Sequence, residues 1–286
     1  MIIVDMNQVM IASLMASLRG QLVVEESLIR HMVINTLRVN RLKFKDHFGE
    51  MVIACDDKNY WRKQIFPYYK ASRKKMRDQS PLDWNAVFQI LNKIRDEIRE
   101  VFPYPVIQVE SAEADDIIAS LCYKYGRELG GDPILILSGD KDFMQLQRFS
   151  NVKQYDPVRK RFLECTDPDK FLVEHILRGD AGDGVPNFLS PDDTFVSESR
   201  QKQLRNKLVE QIMESDKPTD WNGMNEELLR NYNRNTLLID LSRVPAEIGE
   251  QVFEQYDSQS DKDRSKLFNY FIKNKLKNMM ENINEF

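Results

Sequence analysis

Apolar positions along the chain fall into two patterns, short saturated runs and longer helical stripes. IIVD at 2–5, MVIAC at 51–55, PVIQV at 105–109 and PILILS at 133–138 are short enough for buried strands and are bounded by polar or turn residues. SLIRHMVINTL at 27–37 places apolar side chains at 28, 29, 32, 33 and 37, which is one face of a helix. Val87, Leu91, Ile94, Ile98 and Val101 draw the same stripe over 86–101. Strands separated by helices pair in parallel, so the pattern predicts an α/β fold with a mostly parallel central sheet and helices on both faces.

Beyond about residue 165 the strand signal fades. FLVEHILRG at 171–179 reads as a helix ended by Gly179, and DAGDGVPN as a tight loop. The polar stretch SPDDTFVSES at 190–199 is expected to be a mobile loop, with helices near 200–214, 225–236 and 263–280. The expected organisation is therefore an α/β domain over 1–164 and a mostly helical one over 165–286. KKMRDQSPLDW at 74–84 has little apolar content and is expected to be poorly ordered without ligand.

Composition narrows the chemistry. With 42% hydrophobic and 30% charged residues, no apolar run of membrane-spanning length and no signal-peptide layout, the chain reads as a cytoplasmic globular protein. Three cysteines (Cys55, Cys122, Cys165) without a CxxC pair argue against a disulfide scaffold or a thiolate zinc site, and His175 reads as structural. Polar chemistry must then rest on Asp, Glu, Lys and Arg. The net charge of −4 conceals segregation: residues 58–77 carry eight basic side chains and no acidic one, leaving −12 elsewhere.

The acids fall where the strands end. Asp5 and Asp56 follow the first two strands, Glu113, Asp115 and Asp116 the third, and Asp140 and Asp142 the fourth, with Asp180 and Asp183 in the loop after the 171–179 helix. Ligand sites of open α/β sheets lie beyond the carboxyl ends of their strands. A single Asp there is ordinarily a helix cap, but nine candidates on one rim would repel one another and call for cations. All-oxygen donors favour Mg²⁺ or Mn²⁺ over Zn²⁺, and their number suits two ions. Glu113 and Asp116 can face one way on a helix; Asp115 joins Glu113 only if one of them precedes the regular helix. Asp140 and Asp142 share a face only if the backbone stays extended.

The basic segment interleaves five aromatics (Tyr60, Trp61, Phe66, Tyr68, Tyr69) with its cations, a composition suited to phosphates and unpaired bases, although Trp61 or Phe66 is expected in the core. Lys70 and Arg73, three apart, can grip one phosphate together; Lys74, Lys75 and Tyr69 are candidate nucleic-acid contacts. The Gly-rich loop, with Gly182 and Gly184, can offer backbone N–H groups to phosphate, and Arg200, Lys202, Arg205 and Lys207 form a candidate duplex track.

Four segments resemble the 5′-nuclease (flap endonuclease) family, most of all its branch from T-even-type bacteriophages. They are VDMNQ, WRKQIFPYYKASR (the family pattern at Arg62, Pro67, Tyr69, Lys70 and Arg73), ESAEADDIIA with LSGDKDFMQL, and LRGDAGDGVPN; the ending NINEF is similar too. The resemblance implies a PIN-like core, a helical arch near 58–84 and a helix–three-turn–helix motif. It implies that Asp5, Asp56, Glu113, Asp115 and Asp140 form the tighter metal site. Asp142, Asp180 and Asp183 would serve a second ion, with Asp116 in or beside its shell, and Arg62, Lys70 and Arg73 would be catalytic. It further implies a monomeric, Mg²⁺-dependent enzyme with ribonuclease H, 5′-exonuclease and flap endonuclease activity on branched DNA and RNA–DNA hybrids. Such an enzyme would remove primers in phage replication, with contact to the phage single-stranded DNA-binding protein through the C-terminal part. Two rivals stand beside it: a metal phosphatase for small substrates, and a non-catalytic, structure-specific DNA-binding protein.

Overall fold

Backbone pairing turns the four apolar runs into neighbours in one sheet. The computed structural model describes residues 1–18, 23–197 and 199–286. In chain order the elements are β1 (Ile2–Asp5), α1 (Met6–Leu18), α2 (Glu26–Phe48), β2 (Met51–Ala54), α3 (Trp61–Ile65), α4 (Ala71–Asp78), α5 (Trp84–Val101), β3 (Val106–Ile107), α6 (Ala114–Tyr125), β4 (Ile134–Leu137), β5 (Val152–Asp156), β6 (Arg161–Leu163), α7 (Pro168–Arg178), α8 (Asn206–Met213), α9 (Glu226–Ile239), α10 (Ala246–Asp257), α11 (Leu267–Lys273) and α12 (Lys277–Glu281). The strand order is β3-β2-β1-β4-β5-β6, parallel except for the antiparallel β5–β6 pair. The mostly parallel sheet is thus as expected; β5 and β6 were not legible. Neither is a continuous apolar run, since VKQYD and RFL mix polar with apolar residues.

Period-two alternation divides the core into two layers. Ile2, Val4, Ile53, Leu135 and Leu137 face a layer built by α1, α2, α5 and α11. Ile3, Val52, Ala54, Ile134 and Ile136 face the opposite layer, which α6 and α10 cover. Leu241, Ile248, Val252, Leu267 and Phe271 belong to these two layers, so packing crosses the boundary expected between 164 and 165.

Local chemistry corrects several expectations. Residues 71–78 form a helix, so the first half of the segment expected to be poorly ordered, 74–78, is regular, while 79–83 are irregular. The helix expected near 200 begins only at Asn206, and the one expected over 263–280 is broken at Asn274, Lys275 and Leu276. Of the loop at 190–199, Glu198 lies outside the described residues. Part of the rest is held: Ser190 and Thr194 are buried, and Asp192 pairs with Arg230 and Arg234.

The β3 edge of the sheet is closed by side chains. Gln259 Oε1 accepts from the Val106 N–H at 3.0 Å, and its Nε2 donates to the Val106 carbonyl at 3.2 Å. One turn earlier, Gln255 does the same for Gln108, both bonds at 3.0 Å. Two glutamines four residues apart, one near the end of α10 and one in the turn that follows it, thereby stand in for a neighbouring strand, satisfying an edge that would otherwise invite pairing. Gln108 in turn donates from Nε2 to the Asp56 carbonyl at 3.0 Å, which ties this clamp to the rim. Gln259→Leu should lower unfolding free energy by about 1–3 kcal/mol, the cost of leaving buried backbone groups unpaired. Denaturant titration checks this; unchanged stability would mean the clamp contributes nothing.

Candidate active site at the carboxyl rim

The strand order reverses direction at β1, and the crevice beside that switch point is where α/β sheets bind ligands. Asp5, the last residue of β1, is buried; its oxygens accept from the Gln8 N–H at 3.1 Å and the Ser138 hydroxyl at 2.9 Å. Asp56, two residues past β2, accepts from the Ala114 N–H at 2.7 Å and from Asn7 Nδ2. Asp140 caps the 3₁₀ turn at 141–148 and accepts from the Asp142 N–H at 3.0 Å, so the backbone does not stay extended between them. Both nevertheless line the cleft.

The loop after α7 supplies the remaining acids. Gly179 ends the helix at φ 69°, and a Cβ there would lie 2.4 Å from the Val185 carbonyl oxygen, so the turn requires glycine. Asp180 and Val185 close the loop with paired backbone bonds of 2.8 and 2.7 Å. Inside it, Asp180 Oδ1 accepts from the Gly182 and Asp183 N–H groups at 2.7 and 3.2 Å. The Gly184 N–H donates to the Ala181 carbonyl at 3.3 Å. Gly182 and Gly184 therefore shape the loop, and their N–H groups are engaged within it rather than offered to phosphate.

Seven of the nine expected carboxylates meet in one cleft of ≈ 1230 Å³: Asp5, Asp56, Asp115, Asp140, Asp142, Asp180 and Asp183. Lys58, Lys70, Arg73, Arg77 and Arg95 line the same space. Sequence reading missed Asn7, Gln8, Trp84, Phe88 and Arg95 as cleft residues, and Asp57, not expected there because it follows Asp56 on a strand end, lines the cleft as an eighth carboxylate. Asn7 and Gln8 carried the clearest signal, two amides two and three residues after a strand-end Asp. Gln8 Oε1 accepts from the Gly139 N–H at 2.6 Å, so these amides bind the β1, β2 and β4 ends together.

Asp116 and Arg62 lie outside the cleft lining. Asp116 is fully buried, accepting from Trp61 Nε1 at 3.1 Å and the Glu113 N–H at 2.9 Å, and it lies 2.8 Å from Arg62. Arg62, 2% exposed, donates to Glu113 at 2.9 Å and to the Leu238 carbonyl at 3.0 Å. Both are thus buried against one another beside the cleft rather than in it. Glu113 and Asp116 do face one way, because Glu113 is the residue before α6 and makes a capping box with Asp116. That position leaves Asp115 free to face the cleft. Glu113 itself is buried beneath it, accepting from Arg62, from the Tyr69 hydroxyl at 3.0 Å and from Lys70.

Tyr69, expected to touch DNA, is 2% exposed and donates its hydroxyl to Glu113 and, at 2.8 Å, to Asp183. It packs with Phe66, Ile176 and Leu238, and Trp61 is likewise buried. Lys70 is left-handed at φ 55°, held there by its N–H donating to the Asp183 carbonyl at 2.7 Å. Its ammonium contacts Glu113 and lies 3.4 Å from Asp183, and Arg73 pairs with Asp183. Lys74 and Lys75 are exposed on α4, and Arg200, Lys202, Arg205 and Lys207 are exposed on or before α8.

Electrostatics record the crowding. Burial, with the Asp5 and Glu113 charges adding to it, pushes Asp56 up to about 7. Burial and the charge on Asp140 push Asp142 up to about 8 and Asp115 well above the ordinary range. Burial also raises Asp5. Burial alone would raise Glu113, but Lys70 and Arg62 outweigh it and hold that carboxyl below its ordinary value. His175, read as bland from sequence, stands between Asp142 and Asp180, at 3.6 and 3.8 Å. A set of carboxylates that ionise only with difficulty, in an open cleft of hard oxygen donors, fits divalent cations as its missing counter-charge.

Comparison with known proteins agrees with this geometry. Residues 1–175 match the family described as 5′-3′ exonuclease, N-terminal resolvase-like domain, and residues 167–286 match T4 RNase H, C terminal. The chain is 30% identical to the ribonuclease H of Enterobacteria phage T4 over 292 residues, covering 99% of this chain and 95% of that protein. It is 29% identical to the flap endonuclease Xni of Shewanella oneidensis over 169 residues, 56% of this chain and 59% of that one. Its fold matches that of the bacteriophage T5 flap endonuclease in complex with DNA and metal ions, with a TM-score of 0.67 at 15% identity, covering 91% and 98% of the two chains. The resemblance carried by the acidic and basic motifs holds along the whole chain, which belongs to the 5′-3′ exonuclease family and carries the C-terminal domain of the T4 RNase H type.

Proposed function

We propose that this chain is a divalent-metal-dependent 5′→3′ nuclease with ribonuclease H, 5′-exonuclease and flap endonuclease activity. The observation that carries this reading is the convergence of eight carboxylates, from three strand ends, the start of α6 and one loop, beneath a basic segment in a single cleft. The names of its relatives, ribonuclease H, flap endonuclease and 5′-3′ exonuclease, support it. So does the match in fold to an enzyme solved with DNA and metal ions.

Asp5, Asp56, Asp115 and Asp140 would hold one Mg²⁺, and Asp142, Asp180 and Asp183 a second. Bound ions would supply an activated water and counter-charge for the departing 3′ oxygen. The chain's own residues do the rest. Glu113 holds the Lys70 ammonium in the cleft, and Asp183 holds Arg73 beside it. Both cations are then placed to transfer from carboxylate to the scissile phosphate as it enters. Arg62 keeps Glu113 ionised from below, since removing one partner of a buried ion pair strands the other. Lys74, Lys75, Arg200, Lys202, Arg205 and Lys207 would follow the phosphate backbone without reading sequence.

Three outcomes test the reading. Incubated with a 5′-labelled flap or an RNA–DNA hybrid, wild type should cleave in Mg²⁺ and not in EDTA. Asp140→Asn and Asp142→Asn should each reduce cleavage by orders of magnitude while binding persists. Full Mg²⁺-dependent activity in both variants would remove the metal assignment.

Lys70→Ala should lower the single-turnover rate at saturating enzyme by about 10²-fold, as when one preorganised donor is lost at a developing charge. An unchanged saturating rate with a raised dissociation constant would make Lys70 an ordinary phosphate contact.

The third outcome concerns pH. Asp56 near 7 and Asp142 near 8 bind protons more tightly folded than unfolded, so in the metal-free protein stability should fall as pH rises from about 4 through about 8. His175, raised by its neighbouring carboxylates against the pull of burial, works in the same direction. Melting temperatures across that window, with and without Mg²⁺, check the sign: the ions should reverse the loss, and a metal-free Tm that climbs with pH would contradict it.

A further inference from the structure

Resting on the two-ion reading above, we infer that His175 is a nitrogen ligand of the second ion, making this site a mixed imidazole–carboxylate one rather than all-oxygen. One ligand atom each from Asp142, His175 and Asp180 lies within 4.8 Å of the others, a spacing able to hold a metal ion. The imidazole is 3.6 Å from Asp142 and 3.8 Å from Asp180, both too long for a hydrogen bond. Two donors on one ion, each about 2.1 Å from it, are separated by at most about 4.2 Å, so these gaps are of ligand–ligand size.

A histidine kept for packing has its ring nitrogens satisfied, whereas His175 Nδ1 is buried and finds no hydrogen-bond partner among the described residues. The surroundings fix the ring. Its side chain is 15% exposed, α7 holds its backbone, and the Phe171 ring meets it edge-on with centroids 5.6 Å apart. The consequence is selectivity. An imidazole adds little for Mg²⁺, which prefers oxygen, and more for later divalent ions in the order Mn²⁺, Fe²⁺, Co²⁺. This site should therefore favour Mn²⁺ over Mg²⁺ more than its carboxylates alone would.

Electron spin-echo envelope modulation of the Mn²⁺-loaded protein reads the bond directly, without catalysis. The chain has three histidines, so an imidazole nitrogen modulation is readily assigned. Wild type should show it and His175→Gln should lose it. Calorimetric titration should show Mn²⁺ affinity falling about tenfold in that variant, with Mg²⁺ affinity changed by less than about twofold. Saturable Mn²⁺ binding without nitrogen modulation in wild type overturns the inference and leaves the metal reading intact, as does modulation that persists in His175→Gln. Absence of saturable Mn²⁺ binding overturns the metal reading and this inference together. Because the wild-type spectrum is itself decisive, misfolding of the variant does not shelter the proposal.

Discussion

Mutual repulsion among carboxylates at the carboxyl rim is the constraint around which this molecule is arranged. Two like charges about 4 Å apart repel by roughly 4 kcal/mol at an effective dielectric near 20. Eight acidic side chains share one cleft, and several are largely withdrawn from water, so folding assembles a charge that the rest of the chain must hold in place. Asn7, Gln8, Ser138 and the α6 backbone do this with hydrogen bonds that favour the ionised forms of Asp5 and Asp56. Those bonds offset part of the burial and not all of it, which is why both carboxyls remain raised.

Below the rim, a second layer of charge is fully paired. Arg62 joins Glu113 and Asp116, and Tyr69 joins Glu113 to Asp183. Such a network costs desolvation that its attraction only repays with good geometry, so it is weak evidence for stability and better evidence for specification. What it specifies here is the placement of α3, α6 and the 180–185 loop relative to one another. Through Glu113 and Asp183 it also sets Lys70 and Arg73 at the cleft. The basic segment is thus anchored by its own counter-ions at the base, while Lys74 and Lys75 on α4 stay exposed.

Much of this was legible in the sequence. Saturated apolar runs cannot be amphipathic, so β1, β2 and β4 and their parallel pairing followed from periodicity, and acids at the strand ends marked the rim. What escaped was set by tertiary context. β5 and β6 carry mixed polar and apolar residues, and β5 gains its strand identity by pairing with β4. Whether Tyr69 stacks on a base or braces Glu113 depends on the packing of α7 and α9 against it, and residue type does not reveal that. Asp116 and Asp115 are adjacent and chemically alike; only the start of α6 at Ala114 decides that one is buried against Arg62 while the other faces the cleft. His175 read as bland because its two acidic neighbours are 33 and 5 residues away, neither of them on α7.

The central claim is that divalent cations supply the counter-charge for this rim. Titrating Mg²⁺ into the metal-free protein near pH 7, in buffers of differing ionisation enthalpy, measures both ion number and protons released. Carboxyls held near 7 and 8 must give up protons when cations bind, so the account predicts two ions per chain and net proton release. Saturable binding with no proton release, or no saturable binding at all, would contradict it.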